Sequence, residues 1–366
     1  IALPVSEVDR RILRQVMNKL KGEHDKLLDV NEFLEIMKES ESFKQLSELT
    51  AIPEREFMAL IESQTNALIL EDDINIDELY EQANFPVKNG EIWQLGNHKL
   101  MCGDSSNEED VNKLMDNEFA ITCFTDPPYN IDYSYDKYDD GIKQRWQNIF
   151  NDNLTEEEYQ EFLKKVISNI KNKTIENAPL FMWNGDRFLH TMISAAREYD
   201  YSVNQICTWV KNHFQWSPST IYHKALEYCV IFFKDGHRPK FINKYYVSDK
   251  DNIFKLDFED FIDLFTLWYH KRDNIAEYQH PTQKPIRLTE KALKAVTLEN
   301  DIVLDLFGGS GSTLLACEQM KRKCFMMEID PKYCSVILDR WQNMTNKKAT
   351  KLIEQNATTT TTNTSG

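Results

Sequence analysis

The stretch Ile302-Val303-Leu304-Asp305-Leu306-Phe307-Gly308-Gly309-Ser310-Gly311-Ser312 is a short apolar run that passes through an acid into a glycine-rich turn. An apolar run of this length, bounded by turn residues, reads as a buried strand, and Ser312 to Met320 after it reads as a helix. Glycines at the junction let a ligand approach bare backbone, since no Cβ holds it off. Working outward, Cys324 to Ile329 is the next strand, followed by a helix from Pro331. Upstream, Ala120 to Phe124, Leu180 to Trp183, Gln205 to Val210 and Tyr228 to Phe233 are further strand candidates, and Val111 to Met115 and Leu154 to Lys171 are helices, the latter capped by Thr155. Ile92 to Leu95 and Lys99 to Cys102 flank Gly96-Asn97 as a hairpin. This alternation predicts an α/β fold built on a doubly wound, mostly parallel sheet, Rossmann-like in its winding.

Residues 1 to about 65 read instead as a small helical domain, and Phe43 to Phe57 has the spacing of a helix-turn-helix. Its second helix would begin Glu54-Arg55-Glu56, and acids repel phosphate, which favours a helical adaptor over DNA contact. The acidic connection Glu71-Asp72-Asp73 and a change in composition before Phe85-Pro86 place a boundary near 86. The expected organisation is a helical domain over 1–86, an α/β domain over 87–356 and a threonine-rich, disordered tail over 357–366. Beginning at Ile1 rather than Met, the chain reads as a piece of a longer protein.

The glycine turn carries chemistry of its own. Gly309-x-Gly311 continues to Leu314, so the third glycine of a dinucleotide fingerprint is missing and a pyrophosphate ligand is disfavoured. Glu328 ends the next strand, where an acid accepts hydrogen bonds from ribose hydroxyls. A nucleoside without a phosphate to cradle suits both features. The second informative stretch is Phe124-Thr125-Asp126-Pro127-Pro128-Tyr129-Asn130 at the end of a buried strand. An exocyclic amine on an aromatic ring is a poor nucleophile because its lone pair is delocalised. The Asp126 carboxylate and the Pro127 carbonyl can each accept one N–H and localise that pair. Pro128 stiffens the loop, and Tyr129 offers a ring for a base swung out of a duplex.

Together these motifs resemble the amino-methyltransferases of DNA, over roughly residues 91 to 345. Because the Asp-Pro-Pro-Tyr motif precedes the glycine-rich one, the order is that of their β group, and a leader domain before the methylase is similar to phage and prophage enzymes. The resemblance implies transfer of a methyl group from S-adenosylmethionine to adenine N6 in DNA, with Asp126, Pro127, Pro128 and Tyr129 catalytic. It implies cofactor contacts from Asp305, Phe307, Gly308, Gly309, Ser310, Gly311, Ser312 and Glu328. His280-Pro281-Thr282-Gln283-Lys284-Pro285 resembles the segment that embraces the methionine end, with Thr282 and Lys284 toward its carboxylate. Cys102-Gly103-Asp104-Ser105 resembles the segment at the adenine, although Asp104 competes as a helix N-cap. Residues 211–279 are the expected target-recognition segments, and Tyr133 to Trp146 could close over a flipped base. On this reading, removing residues 1–86 leaves transfer largely intact. Cytosine N4 is the alternative target, its enzymes more often carrying Ser where Asp126 stands, and a catalytically idle DNA-binding protein is the third reading.

The 366-residue chain has 41% hydrophobic residues and a net charge of −16, unusual for a binder of a polyanion. Residues 1 to 91 hold about 20 acids and about 10 bases, so much of the negative charge lies outside the motifs. From Lys211 to Lys255 about eight bases face about four acids, interleaved with Trp216, Tyr222, His223, Tyr245 and Tyr246, so double-stranded DNA has a place to bind. Seven cysteines lack the spacing of a disulfide framework or zinc site, so no metal is expected. Neither a run long enough to span a membrane nor a charged-then-apolar leader is seen, which points to a reducing cytoplasm and no membrane partner. A homodimer is a candidate assembly, and a restriction-modification setting goes with the family.

Overall fold

The computed structural model describes residues 69–131, 150–215, 221–222, 224–239, 266–269 and 284–352, apart from 73, 75 and 84. The expected N-terminal helices and helix-turn-helix, the Tyr133–Trp146 loop, most of the 211–279 segments, Thr282 and the 357–366 tail lie outside the described residues.

The described chain forms one ten-stranded sheet in the order β10-β1-β2-β9-β8-β3-β4-β6-β5-β7. Its strands are β1 (Ile92–Leu95), β2 (His98–Cys102), β3 (Thr122–Thr125), β4 (Leu180–Asn184), β5 (Tyr201–Gln215), β6 (Lys224–Lys234), β7 (Leu267–Tyr269), β8 (Ile302–Asp305), β9 (Lys323–Glu328) and β10 (Thr350–Leu352). The centre, β2-β9-β8-β3-β4, is parallel throughout. Antiparallel pairing is confined to the flanks, in β10-β1-β2 and in β4-β6-β5. The mostly parallel Rossmann-like α/β architecture expected from the alternation is what the chain adopts.

Seven helices are described: α1 (Ile76–Gln82), α2 (Glu108–Met115), α3 (Glu156–Lys173), α4 (Leu189–Arg197), α5 (Ile286–Val296), α6 (Ser312–Gln319) and α7 (Pro331–Thr345). Alternation along the buried strands sorts them onto two faces, because successive side chains point oppositely. On β8, Val303 joins a core with Leu293 of α5, Leu315 of α6 and Ile337 of α7. Its neighbours Ile302 and Leu304 join the opposite core, with Leu114 of α2, Leu163 of α3 and Met192 of α4. Every position of β8 is buried, as a strand covered on both faces requires. All seven cysteines are free and buried in these layers.

Local chemistry sets the helix ends. Thr155 and Glu158 form a reciprocal capping box at α3, as the sequence predicts. At α7, Asp330 accepts from Lys332 N and Pro331 fills the first turn. Asp104 is not a helix cap: Asn107 caps α2, while Asp104 accepts from the backbone and hydroxyl of Ser106 in a turn of its own. The cap falls to the residue whose extended backbone directly precedes the first helical turn.

Segment 69–85, on the N-terminal side of the boundary expected near 86, packs on the α/β unit. Tyr80 stacks at a tilt on Tyr333 of α7 and donates to Asp330. Phe85 N donates to Ser335, and Gln319 at the end of α6 bonds both the N–H and the carbonyl of Leu70. No described helix is long and apolar enough to cross a membrane.

Candidate active site

Strand order reverses between β3 and β8. From β3 the chain proceeds through α3 to β4 on one side, and from β8 through α6 to β9 on the other. The carboxyl ends of two such strands splay their loops apart and leave a crevice, the usual ligand site of a doubly wound sheet. Asp126 leaves β3 there, and Phe307 to Gly311 follow β8. Thr125 ties the strand ends together: its hydroxyl donates to Asp305 at 3.0 Å and accepts from Leu306 N at 3.2 Å. Burial pushes the Asp305 carboxyl up to about 7, with Asp126 adding to the effect, against hydrogen bonds from Thr313, Phe307 and Thr125.

The Asp126–Tyr129 loop is clamped from both sides. Tyr159 of α3 donates to the Pro128 carbonyl at 2.7 Å, and Asn184 at the end of β4 donates to the Tyr159 hydroxyl at 3.0 Å. Asn130 takes a positive φ of 56°, tolerated by asparagine. Its amide oxygen accepts from Leu154 N at 2.6 Å and its nitrogen donates to Leu154 O at 2.9 Å. Ile131 N donates to Asp152 at 3.1 Å. The loop is therefore set by fixed partners from α3 and its lead-in.

Asp126 sits in a cluster of charges. Its Oδ1 accepts from the Tyr129 hydroxyl at 2.7 Å, and its Oδ2 accepts from the Lys284 ammonium. Lys284 Nζ also lies 3.0 Å from the Tyr129 oxygen and 3.1 Å from Glu227 Oε2, and Glu227 pairs in turn with Lys211. Lys284 is 8% exposed and rests 4.7 Å from the centre of the Trp183 ring. Burial raises the Asp126 carboxyl and Glu227 raises it further, while Lys284 pulls it down. Burial works against ionised Glu227 too, but Lys284 and Lys211 hold it down at about 2. Burial and both carboxylates push Tyr129 upward, so its phenol stays protonated.

Lys284, expected from the resemblance to lie toward a cofactor carboxylate, has its ammonium on Asp126, where Pro285 and α5 deliver it beside β3 and β6. Glu227 and Lys211 were not singled out from the sequence as site residues. The signal lay in the pairing register: Trp209 faces Glu227 across β5 and β6, which puts Lys211, two residues on, at a diagonal to Glu227.

The other wall is the glycine turn. A Cβ on Gly308 would come within 2.8 Å of Met326, and Gly311 holds a φ of +91° with Ile337 3.0 Å from where a Cβ would sit. A Cβ on Gly309 would meet nothing within 4 Å, so the turn is open on that side. Glu328 accepts from Gly309 N at 2.7 Å and from Asp330 N at 2.9 Å, and Gly103 N meets the Glu328 carbonyl, bringing Asp104 to the same end of the sheet. Burial, with Asp330 adding to it, pushes Glu328 up to about 7 against three backbone N–H donors. The buried hydroxyl of Ser312, in the first turn of α6, has no hydrogen-bond partner. A turn open on one side, a buried acid and an unpartnered hydroxyl fit a polar nucleoside lacking phosphate.

Residues 121–339 match the family model described as DNA methylase, of the N6 and N4 amino type. Type II methyltransferase M.BamHI of Bacillus amyloliquefaciens is 24% identical over 270 residues, covering 68% of this chain and 58% of that protein. The orphan methyltransferase M.BamHII of the same organism is 26% identical over 247 residues, covering 60% of this chain and 87% of its own length. Type II methyltransferase M.HpaI of Haemophilus parainfluenzae is 24% identical, with 66% and 73% covered. Among solved structures, the M1.HpyAVI–SAM complex aligns with a TM-score of 0.46 at 22% identity, over 66% of this chain and 97% of that one.

Proposed function

Because the chain belongs to the N6/N4 DNA methylase family, we propose that it transfers a methyl group from S-adenosylmethionine to the exocyclic N6 of adenine in double-stranded DNA, within a restriction-modification setting. The observation that carries this reading is the meeting of two loops at the β3/β8 switch point. Asp126 to Tyr129 enters from one strand and Gly308 to Gly311 from the next, joined by the Thr125–Asp305 hydrogen bond.

S-adenosylmethionine supplies an electrophilic sulfonium methyl and retains the S–C bonding pair. On this reading Glu328 would accept from its ribose, the Gly308–Ser312 turn would lie against the nucleoside, and Asp104 would flank the adenine. Asp126, which keeps 28% of its side chain exposed, accepts one N–H of the target amine, and the Pro127 carbonyl accepts the other. Those acceptors draw nitrogen toward a tetrahedral shape and aim its lone pair, a preorganised electrostatic effect. Tyr159 and Asn130 hold the loop so that nothing reorganises at the moment of reaction. The new N–C bond leaves an extra proton on nitrogen, and a carboxylate made more basic by burial is suited to take it. Stacking on Tyr129 would stabilise a base out of the duplex.

Mass spectrometry of nucleosides from DNA treated with the protein and cofactor is the test. N6-methyladenine is expected. N4-methylcytosine alone would overturn the base assignment and leave the amine chemistry standing.

A further inference from the structure

The contacts around Lys284 have a chemical meaning that the methylation reading does not require. Asp126 must be ionised to accept from an amine, yet it is placed where ionisation is costly. Lys284 reaches it from the start of α5, and the same ammonium touches the Tyr129 hydroxyl and Glu227. Glu227 is 12% exposed and its other oxygen pairs with Lys211. Two acids and two ammoniums thus alternate as Asp126, Lys284, Glu227 and Lys211, across strands β3, β6 and β5 and the lead-in to α5. The set is close to neutral overall, which makes its burial tolerable.

We propose that Lys284 and Glu227 are positioning residues for catalysis, Lys284 holding Asp126 as a charged acceptor and Glu227 fixing Lys284 in place and dividing its charge. The proposal rests on the reading of Asp126 as the acceptor for the target amine. Asp126 Oδ1 and Oδ2 each already accept one hydrogen bond, from Tyr129 and from Lys284, and a carboxylate oxygen has a second lone pair to offer. The amine therefore meets an acid whose orientation is fixed by two donors. Lys284 cannot drift, since Trp183 lies beneath it and Pro285 follows it.

Charges in this arrangement act on Asp126 with opposite signs. Lys284 favours the ionised form, and Glu227 opposes it, directly and by drawing on the same ammonium. The other titratable groups facing Asp126 are Tyr129 beside it, Asp305 on β8, Tyr159 on α3 and Cys229 on β6. Substituting Lys284→Gln removes the favourable charge and should move the titration of Asp126 to higher pH. Glu227→Gln removes the unfavourable charge and should move it to lower pH. A residue that merely supported the fold would not produce shifts of opposite sign.

Two readouts decide the matter. The carboxyl carbon of Asp126 is followed by NMR in the DNA-free protein, assigned by its loss in Asp126→Asn, and single-turnover rates are measured from about pH 5 to 9. Expected are an upward shift in Lys284→Gln, a downward shift in Glu227→Gln and a near return to wild type in Lys284→Arg, with the acid limb of the rate profile moving in parallel. Titrations that coincide, or that move in one direction for both neutral variants, would overturn the proposal. The NMR arm stands even if the wild type fails to methylate DNA, an outcome that would sink the proposed function alone. Binding of S-adenosylhomocysteine by each variant checks that the site is folded.

Discussion

Asp72 meets Arg340 through two hydrogen bonds of 2.9 and 2.7 Å, and the Arg340 side chain is completely buried. The same guanidinium donates to the Ser310 carbonyl inside the glycine turn. One residue earlier, Glu71 accepts from Ile286 N and Arg287 N, capping α5 just beyond Lys284, where the helix has no side-chain cap of its own. Segment 69–80 therefore braces α5, α6 and α7, each of which starts from a loop of the site.

Removal of residues 1–86 is accordingly expected to cost more than removal of 1–68, against the expectation from composition that transfer survives the longer deletion. Asp72→Asn leaves a buried guanidinium without its counter-charge, a loss of about 3 to 5 kcal/mol for a pair of this kind. Urea denaturation measures the stability, and calorimetry with S-adenosylhomocysteine measures the accompanying loss at the Ser310 turn. Equal behaviour of the two deletions would remove any role for the strap.

Asn130 should matter for rate more than for cofactor affinity, since its two bonds to Leu154 set the loop and touch no cofactor residue. Asn130→Gly tolerates the positive φ but loses both bonds, and Asn130→Ala loses the bonds and strains the backbone. A cost of about 1 to 3 kcal/mol translates into a fall of roughly 5- to 150-fold in kcat/KM. Alanine should be the worse of the two. An unchanged rate in both would show that Tyr159 alone holds the loop.

Asp126→Ala is expected to lower methyl transfer by at least about a hundredfold, the scale of one preorganised charge-stabilising partner, with DNA and S-adenosylhomocysteine still bound. Tyr129→Ala should lose less activity on a target opposite a mismatch than on a normal pair, because stacking counts most where flipping costs most. Retained turnover in Asp126→Ala would assign the amine to another acceptor.

Much of this was legible from the chain alone, for physical reasons. Strands such as Ile302 to Asp305 are buried on both faces and so read as unbroken apolar runs, and Asp126 and Glu328 stand at strand ends that the runs define. Short edge elements were not legible: Leu267–Tyr269 and Thr350–Leu352 are three residues each, too brief to show a period, and they form because a neighbouring strand offers its edge. Helix α4 went unread as well, its pattern lying in a short stretch between stronger strands. Lys284 shows the deeper limit. Its motif indicated a loop at the site, but which wall of the crevice its ammonium meets depends on the placement of β6 and Glu227, far away in sequence. Glu71 and Asp72 read in the sequence only as part of an acidic connection, since nothing local tells that their partners lie at Arg287 and Arg340.

Glu328 gives a pH dependence with a definite sign. Burial pushes its carboxyl up to about 7, with Asp330 adding and the N–H groups of Asp330, Gly309 and Ile329 opposing. Ribose hydroxyls donate, so the form that binds them is the ionised one. Above about pH 7 the acid is already charged and affinity should be flat. Below that, each unit of pH adds about 1.36 kcal/mol to the cost of deprotonation, so the association constant for S-adenosylhomocysteine should fall about tenfold per unit. Glu328→Ala should bind about 1 to 3 kcal/mol more weakly at pH near 8, through loss of charge-assisted hydrogen bonds, and should lose this dependence. Calorimetry across the range separates the cases: a wild-type profile that stays flat below neutrality would mean that Glu328 does not carry the ribose, and tight binding of NAD without response to S-adenosylhomocysteine would reject the cofactor itself.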